Sequence, residues 1–415
     1  MQGSFDTLPC RLGTADFKGP GRSWRRHCAG ALLPGAMAPV PAPGAGHHNP
    51  NMFHSIAALR ALAAFWVLAA HCMIWGGWYG VPLPSPKYAV DLFMMISGFL
   101  MVAQADARGT AEPLSQGRNR LRFWLRRYFR LAPAYYLALG LAVVTAPYFL
   151  AGYQALQDLN PSAWEHEAVY RPASIEYSLS NVLLHLSFVF GMLPQWSATT
   201  MLPDWSLGLE MQFYAVFPFL LLAFDRWKVK ALIAAVAVSL LLAWLARRHL
   251  VITEQSLLVL KLHQFLAGML ICRAKTWRMV AVAMLFAALD RRLAPPLLAL
   301  AMSVMVHRES LGLLPAWLRG RWIHFASEMS YAVYLFHGFL ISAFGLAIAH
   351  STLLKQWSPP VRVAAMFGFV TVGSYAFAWV VYRWIELPGI EWGRQLSQRL
   401  LATATGTPGS PAGDR

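Results

Sequence analysis

An arginine and a histidine share one apolar stretch near the start of the chain, Ile56-Ala57-Ala58-Leu59-Arg60-Ala61-Leu62-Ala63-Ala64-Phe65-Trp66-Val67-Leu68-Ala69-Ala70-His71-Cys72. In a helix of about 100° and ~1.5 Å per residue, eleven steps bring His71 to within about 20° of Arg60 and some 16 Å further along. Both side chains then share a face. Ionisable groups in a membrane-length helix are expensive and usually face a protein interior or wet cavity where they act. The bland alternative is an arginine that reaches headgroups and a histidine bonded to a neighbouring helix.

Two carboxylates sit in similar surroundings: Asp91 in Val90-Asp91-Leu92-Phe93, and Glu210 in Trp205-Ser206-Leu207-Gly208-Leu209-Glu210. A histidine beside a carboxylate suits general-base catalysis, because the carboxylate fixes the imidazole tautomer and stabilises its charged form. Such a base takes the proton of a hydroxyl as it attacks an activated carbonyl. The competing reading is that these groups pair only to offset burial. A third element is Arg120-Leu121-Arg122-Phe123-Trp124-Leu125-Arg126-Arg127-Tyr128-Phe129-Arg130. Arg122, Arg126 and Arg130 recur at four-residue spacing, on one helical face. Guanidinium groups bind phosphate bidentately and the interleaved rings can stack on a base, although an ordinary interfacial anchor has the same composition.

The elements that position these residues are membrane helices. With 57% hydrophobic and 13% charged residues and a mean hydropathy of +0.44, the chain is too apolar for a soluble protein of its length. The net charge of +16 comes as short clusters between apolar runs, which excludes a nucleic-acid-binding face. Ten apolar runs, each read as one crossing, fall at 55–75, 88–105, 131–151, 205–224, 231–246, 256–272, 277–289, 292–306, 329–349 and 361–382. The run 179–192 is shorter and reads as an interfacial or re-entrant helix. Arginines between the second and third runs, against acidic residues after the third, put the former loop and both termini in the cytoplasm. Arg247-Arg248 and Arg291-Arg292 fall outside in this scheme. His71, Asp91 and Glu210 then share a depth near the outer face, and are expected to form one cluster.

Residues 1–51 are rich in Gly, Pro and Arg and read as a disordered extension, with Met52 as an alternative translation start; 52–395 form the membrane domain and 396–415 a disordered cytoplasmic tail. Four cysteines without paired spacing argue for neither disulfide nor metal site, and Cys72 reads as a plain helix cysteine.

The chain resembles the acyltransferase-3 family of integral-membrane O-acyltransferases. Its motifs are Arg60 with His71, the run Val90 to Phe99, Arg126-Arg127 with Arg130 and Pro133, and the run Trp205 to Tyr214, with Met211 in place of a usual glutamate. Ser330, Tyr331, Tyr334, Leu335 and His337 match a late motif, and Tyr382, Arg383, Ile385, Glu386 and Pro388 the closing one. The resemblance implies an all-α polytopic bundle in the bacterial inner membrane. It also implies an acyl-CoA donor, most commonly acetyl-CoA, bound from the cytoplasm, and an acceptor hydroxyl on a surface or exported glycan such as exopolysaccharide or lipopolysaccharide. On that reading His71 is catalytic, as base or transient acyl carrier, assisted by Glu210 and Asp91. Arg60, Arg126, Arg127 and Arg130 hold the CoA phosphates, while Trp205, Tyr214, Ser97, Tyr334 and His337 line the substrate site. Glu386 pairs with Arg383 in this scheme. Partners are acyl-CoA, a carbohydrate or lipid-linked glycan, and membrane lipid; no metal is expected.

Two other classes compete. A transporter or lipid-linked-sugar flippase would use the His, Glu and Asp cluster for proton relay or cargo, but would often show an internal repeat with broken helices, and none is visible. A non-catalytic member would only pass acyl groups to a partner.

Overall fold

In a computed structural model of the chain, residues 53–78, 85–161, 175–252 and 254–402 are described. All regular structure among them is helical. Helix α1 spans His54–Gly76, α2 Pro86–Arg108, α3 Gly117–Val144, α4 Ala146–Leu159, α5 Leu179–Leu186, α6 Trp205–Trp227 and α7 Val229–His249. Helix α8 spans Leu258–Cys272, α9 Trp277–Ala287, α10 Ala294–Ser310, α11 Arg321–Ala349 and α12 Pro359–Val381; a π-turn over Tyr382–Glu386 leads into α13, Leu387–Ala402.

Each of the ten expected crossings falls on helix. Six of the described helices (α1, α2, α6, α7, α11 and the continuous α12–α13) are long and apolar enough to span a bilayer by themselves, and α3 with α4 makes a seventh if that bent pair is one span. The run 131–151 is therefore not a straight crossing. It breaks at Thr145 by 79°, where Pro147 lies in the first turn of α4 and cannot donate back into α3. The run 179–192 is also broken: eight helical residues are followed by 3-10 turns at Val189–Met192 and Pro194–Trp196, too short to cross. Helix α13 continues through 396–402, where a tail was expected, and 1–51 lie outside the described residues.

The directions of the helices follow from their contacts. Helices α1 and α11 run parallel, with His54 Nδ1 2.9 Å from His324 Nε2 and Arg60 Nη2 3.1 Å from Ser330 Oγ. Helix α12 is antiparallel to α1, since Arg362 Nε near its start donates to Gly76 O at 2.9 Å and Phe367 meets Phe65. Phe53 packs on Phe99, so α2 returns alongside α1. Helices α2 and α8 are parallel, with Asp91 bonded to Lys261 and Asp106 to Arg273. Arg273 also bonds Asp225 at the end of α6, which runs the same way. Helix α3 is antiparallel to α6: Trp124 Nε1 donates to Tyr214 O at 3.0 Å and Tyr135 OH to Asp204 at 3.0 Å.

Two apolar clusters share α1. Ile56, Leu59 and Ala63 pack with Phe213, Phe217 and Phe265, whereas Leu68, Cys72 and Trp75 pack with Tyr135, Phe190 and Phe336. Glycine sets one spacing. A Cβ on Gly98 would lie 2.0 Å from Phe265 O, and one on Gly268 1.8 Å from Met95 O, so α2 and α8 touch backbone to backbone. The start of α1 is capped from another helix, because Glu309 at the end of α10 accepts from the amides of His54 at 2.6 Å and Ser55 at 3.0 Å. Helix α7 turns Leu240, Leu241, Leu242 and Trp244 outward, a surface suited to lipid.

Candidate active site

A cavity of about 180 Å³ lies between α1, α2, α3, α6, α8 and α11. Its apolar wall comes from α2 residues such as Phe93, Met94 and Leu100, and its polar wall from Arg60, Ser97, Gln104, Arg127, Arg130 and Glu210, with Ser206, Tyr214, Ser330, Tyr331 and Tyr334 adding hydroxyls. Three guanidinium groups against one carboxylate make it cationic. It has room for several waters or the end of a long ligand.

The polar groups are mutually braced. Glu210 accepts from Ser97 Oγ at 3.0 Å and from Tyr214 OH. Arg60 donates to Ser330, Arg127 to Gln104, and Arg130 to Glu386 at 2.5 Å. Arg127 also stands over the rings of Phe123 and Tyr214 at 5.6 and 5.8 Å. Tyr334 OH donates to Pro203 O at 2.7 Å and lies 2.8 Å from Ser206 Oγ. Glu386 therefore pairs with Arg130 rather than Arg383 as expected.

Met101 and Gln104 also line a smaller pocket with Arg108, Glu112 and Arg126. There Arg126 forks onto Glu112, at 3.1 and 2.6 Å. The expected Arg122, Arg126 and Arg130 stripe is thus divided. Arg122 is buried on Asn119 and Arg126 serves the outer pocket, while Arg127 and Arg130, three residues apart, reach the cavity. In this loop Glu112 is held below the usual carboxylate range by the Arg126 hydrogen bond and by nearby Arg108, against a smaller opposing effect of burial.

Beyond the cavity lies a histidine pair. The rings of His71 and His337 lie nearly parallel, 25° apart with centroids at 5.0 Å, and meet largely edge to edge, with His71 Nδ1 3.0 Å from His337 Nε2. The His337 ring lies 6.3 Å from that of Tyr334, which connects the pair to the cavity rim. His71 thus meets a second histidine.

Asp91 departs from its expected place. Its carboxylate, 1% exposed, bonds Lys261 Nζ at 2.7 Å, and Lys261 bridges on to Asp290 at 2.6 Å. Asp91, Met95 and Gly98 fall at i, i+4 and i+7, the face turned to α8, whereas Val90, Phe93, Met94 and Ser97 face the cavity. The three-residue cluster of His71, Asp91 and Glu210 is replaced by three separate pairings. Trp205 packs against the core at the start of α6 and leaves the cavity to Ser206 and Leu207. Lys261 and Asp290 escaped sequence reading; a lysine within an apolar helix was their only signal. Gln104 carries no signal that sequence alone would raise, and Ser206 and Ser330 stand in the sequence only as motif positions.

The described helices thus form an apolar, membrane-type bundle around a cationic cavity, with a histidine pair beyond it. The family model Acyl_transf_3, an acyltransferase domain, matches residues 53–379, and the chain belongs to that family. Over 176 residues it is 31% identical to the peptidoglycan O-acetyltransferase OatA of Listeria monocytogenes serovar 1/2a (strain ATCC BAA-679 / EGD-e), a match covering 42% of this chain and 25% of that protein. The match thus spans about a quarter of the relative's length. No solved structure matches the chain.

Proposed function

We propose that this protein is an O-acyltransferase of the bacterial inner membrane that moves an acyl group, acetyl first, from cytoplasmic acyl-CoA to a sugar hydroxyl of an exported or surface glycan. The observation that carries this reading is the order of groups through the bundle. Arg108 and Arg126 lie at one end, Arg127, Arg130 and Arg60 next, then Glu210, Ser97 and Tyr334, and last His337 and His71. A long donor with an anionic head and a reactive thioester tail fits that sequence of charge and then base. Guanidinium groups hold its phosphates, and the narrow cavity keeps water from the thioester.

In the transfer, the acceptor O–H bond breaks and its proton passes to His71. The oxygen bonds to the thioester carbon, the C–S bond breaks, and the CoA thiolate leaves and takes up the proton. Glu210, Ser97 and Tyr214 shape the cavity around the donor, and Tyr334 borders the acceptor side. The name of the OatA relative supports acetyl as the group and a cell-wall glycan as one acceptor class. The ten-crossing scheme with both termini cytoplasmic belongs to this reading, because it places the arginine end inside and the histidines outside.

The test is a mass-spectrometric census of base-labile acyl esters on surface glycans from cells that carry the wild type, His71→Ala or no copy. One ester present only with the wild type supports the reading and identifies the product. Identical profiles, with the variant protein at wild-type level in the membrane, overturn it.

A further inference from the structure

The hydrogen bonds of His337 determine where His71 keeps its proton. His337 Nδ1 lies 2.7 Å from Tyr334 O and 3.2 Å from Val333 O, both within its own helix. A carbonyl can only accept, so this nitrogen carries the ring hydrogen, and neutral His337 presents a lone pair at Nε2. That lone pair is 3.0 Å from His71 Nδ1. Two facing lone pairs would repel, so His71 donates from Nδ1, and its own lone pair resides on Nε2.

We propose that His337 is a positioning residue for acyl transfer: it locks His71 in the Nδ1–H tautomer, so that Nε2 is the atom that takes the acceptor proton. This rests on the reading of His71 as the base. The lock is firm, because His337 is 3% exposed, lies within the long helix α11 and holds its ring nearly parallel to the ring it orients. Its chemistry also suits its place. A carboxylate in this role would add a charge to the apolar bundle, whereas a neutral imidazole orients its partner without one. When His71 becomes an imidazolium, the Nδ1–H bond to His337 strengthens as a charge-assisted hydrogen bond.

The test uses membrane vesicles of producing cells, with radiolabelled acetyl-CoA added on the cytoplasmic face and incorporation into the vesicles' own glycans as readout. His337→Leu removes the acceptor. His337→Gln restores one, because the glutamine Oε1 extends about as far as the imidazole Nε2. With His337→Leu the maximal rate is expected to fall on the order of 10²-fold, less than the roughly 10⁴-fold loss known for a wrong histidine tautomer in a serine-protease triad. The KM for acetyl-CoA is expected to stay within about twofold, and His337→Gln to recover at least about tenfold of the lost rate. Melting temperature and membrane level, measured for both variants, exclude misfolding. Equal rates for Leu and Gln, or a change in KM without a change in rate, overturn the proposal while leaving the acyltransferase reading in place. Incorporation by the wild type no greater than by vesicles without the protein overturns the acyltransferase reading itself, and this proposal with it.

Discussion

Arg130 Nη1 and Glu386 Oε2 lie 2.5 Å apart and tie the middle of α3 to the π-turn after α12. The Glu386 side chain is fully buried, while Arg130 keeps one side in the cavity. The same pair therefore holds the bundle together and aims a guanidinium into the cavity, the proposed donor site. Removing one partner strands the other charge, which costs about 3–5 kcal/mol in buried pairs; because Arg130 is partly open, about 3 kcal/mol is expected for Glu386→Leu. The double variant Arg130→Met, Glu386→Leu should regain most of that stability and still fail to bind acyl-CoA. Thermal unfolding in detergent and donor-binding titrations measure the two effects separately.

His71→Gln should lower the maximal rate of acyl transfer by about 10²–10⁴-fold, the range of a lost general base. The donor cavity is lined by other residues, so KM for acyl-CoA should hold. A steady-state comparison at varied acyl-CoA checks this, and a large rise in KM with the rate unchanged would place His71 in binding instead.

Among the described glycines, those of the α2–α8 crossing leave the least room for a side chain. Gly268→Ala puts a methyl group where Met95 O already lies, at 1.8 Å. The helices must then part, and overpacking of this kind costs about 1–3 kcal/mol. Because Ser97 is carried on α2 and bonds Glu210, cavity shape should suffer too. Gly368→Ala on α12, where a Cβ meets nothing within 4 Å, serves as the control and should not lower stability, and can raise it by up to about 1 kcal/mol.

Acid should weaken the arginine loop. The Glu112 carboxyl is held below its usual value chiefly by the hydrogen bond from Arg126. A depressed folded-state pKa means that the stabilisation is complete above the unfolded value, about 4.3, and is lost as pH falls through the lower folded value. The melting temperature of the wild type should therefore drop more steeply than that of Glu112→Gln below about pH 5. Parallel pH profiles for the two proteins would refute the assignment.

Helix positions and the arginine–histidine axis of α1 were legible in sequence because hydropathy and a 3.6-residue period are local properties. Partnerships across helices were not. His71 was expected beside a carboxylate because depth along a helix can be counted, but the direction in which Asp91 points depends on which neighbour packs on α2. Lys261 supplies that neighbour, 170 residues away in sequence. Likewise, Arg126 and Arg130 share a face by spacing, yet a short loop delivers Glu112 to one and the π-turn after α12 delivers Glu386 to the other. The kink at Thr145 was foreshadowed by Pro147, whose meaning depended on where α3 began.

The parallel pairing of α1 with α11, and of α2 with α6 and α8, imposes a parity rule on how the chain is threaded. Helices that run the same way must be separated by an odd number of traversals. Between α2 and α6 the traversal has to be α3, although its arginine-rich first turns weaken its apolar signature. Helix α8, only fifteen residues long, runs beside α2 along its whole length and so completes a traversal of its own. For α11 to run with α1, α9 and α10 must both traverse or both turn back. The ten traversals of the proposed scheme obey this rule, as eight would, and an even total is what that scheme needs for both ends of the helical domain to share one face.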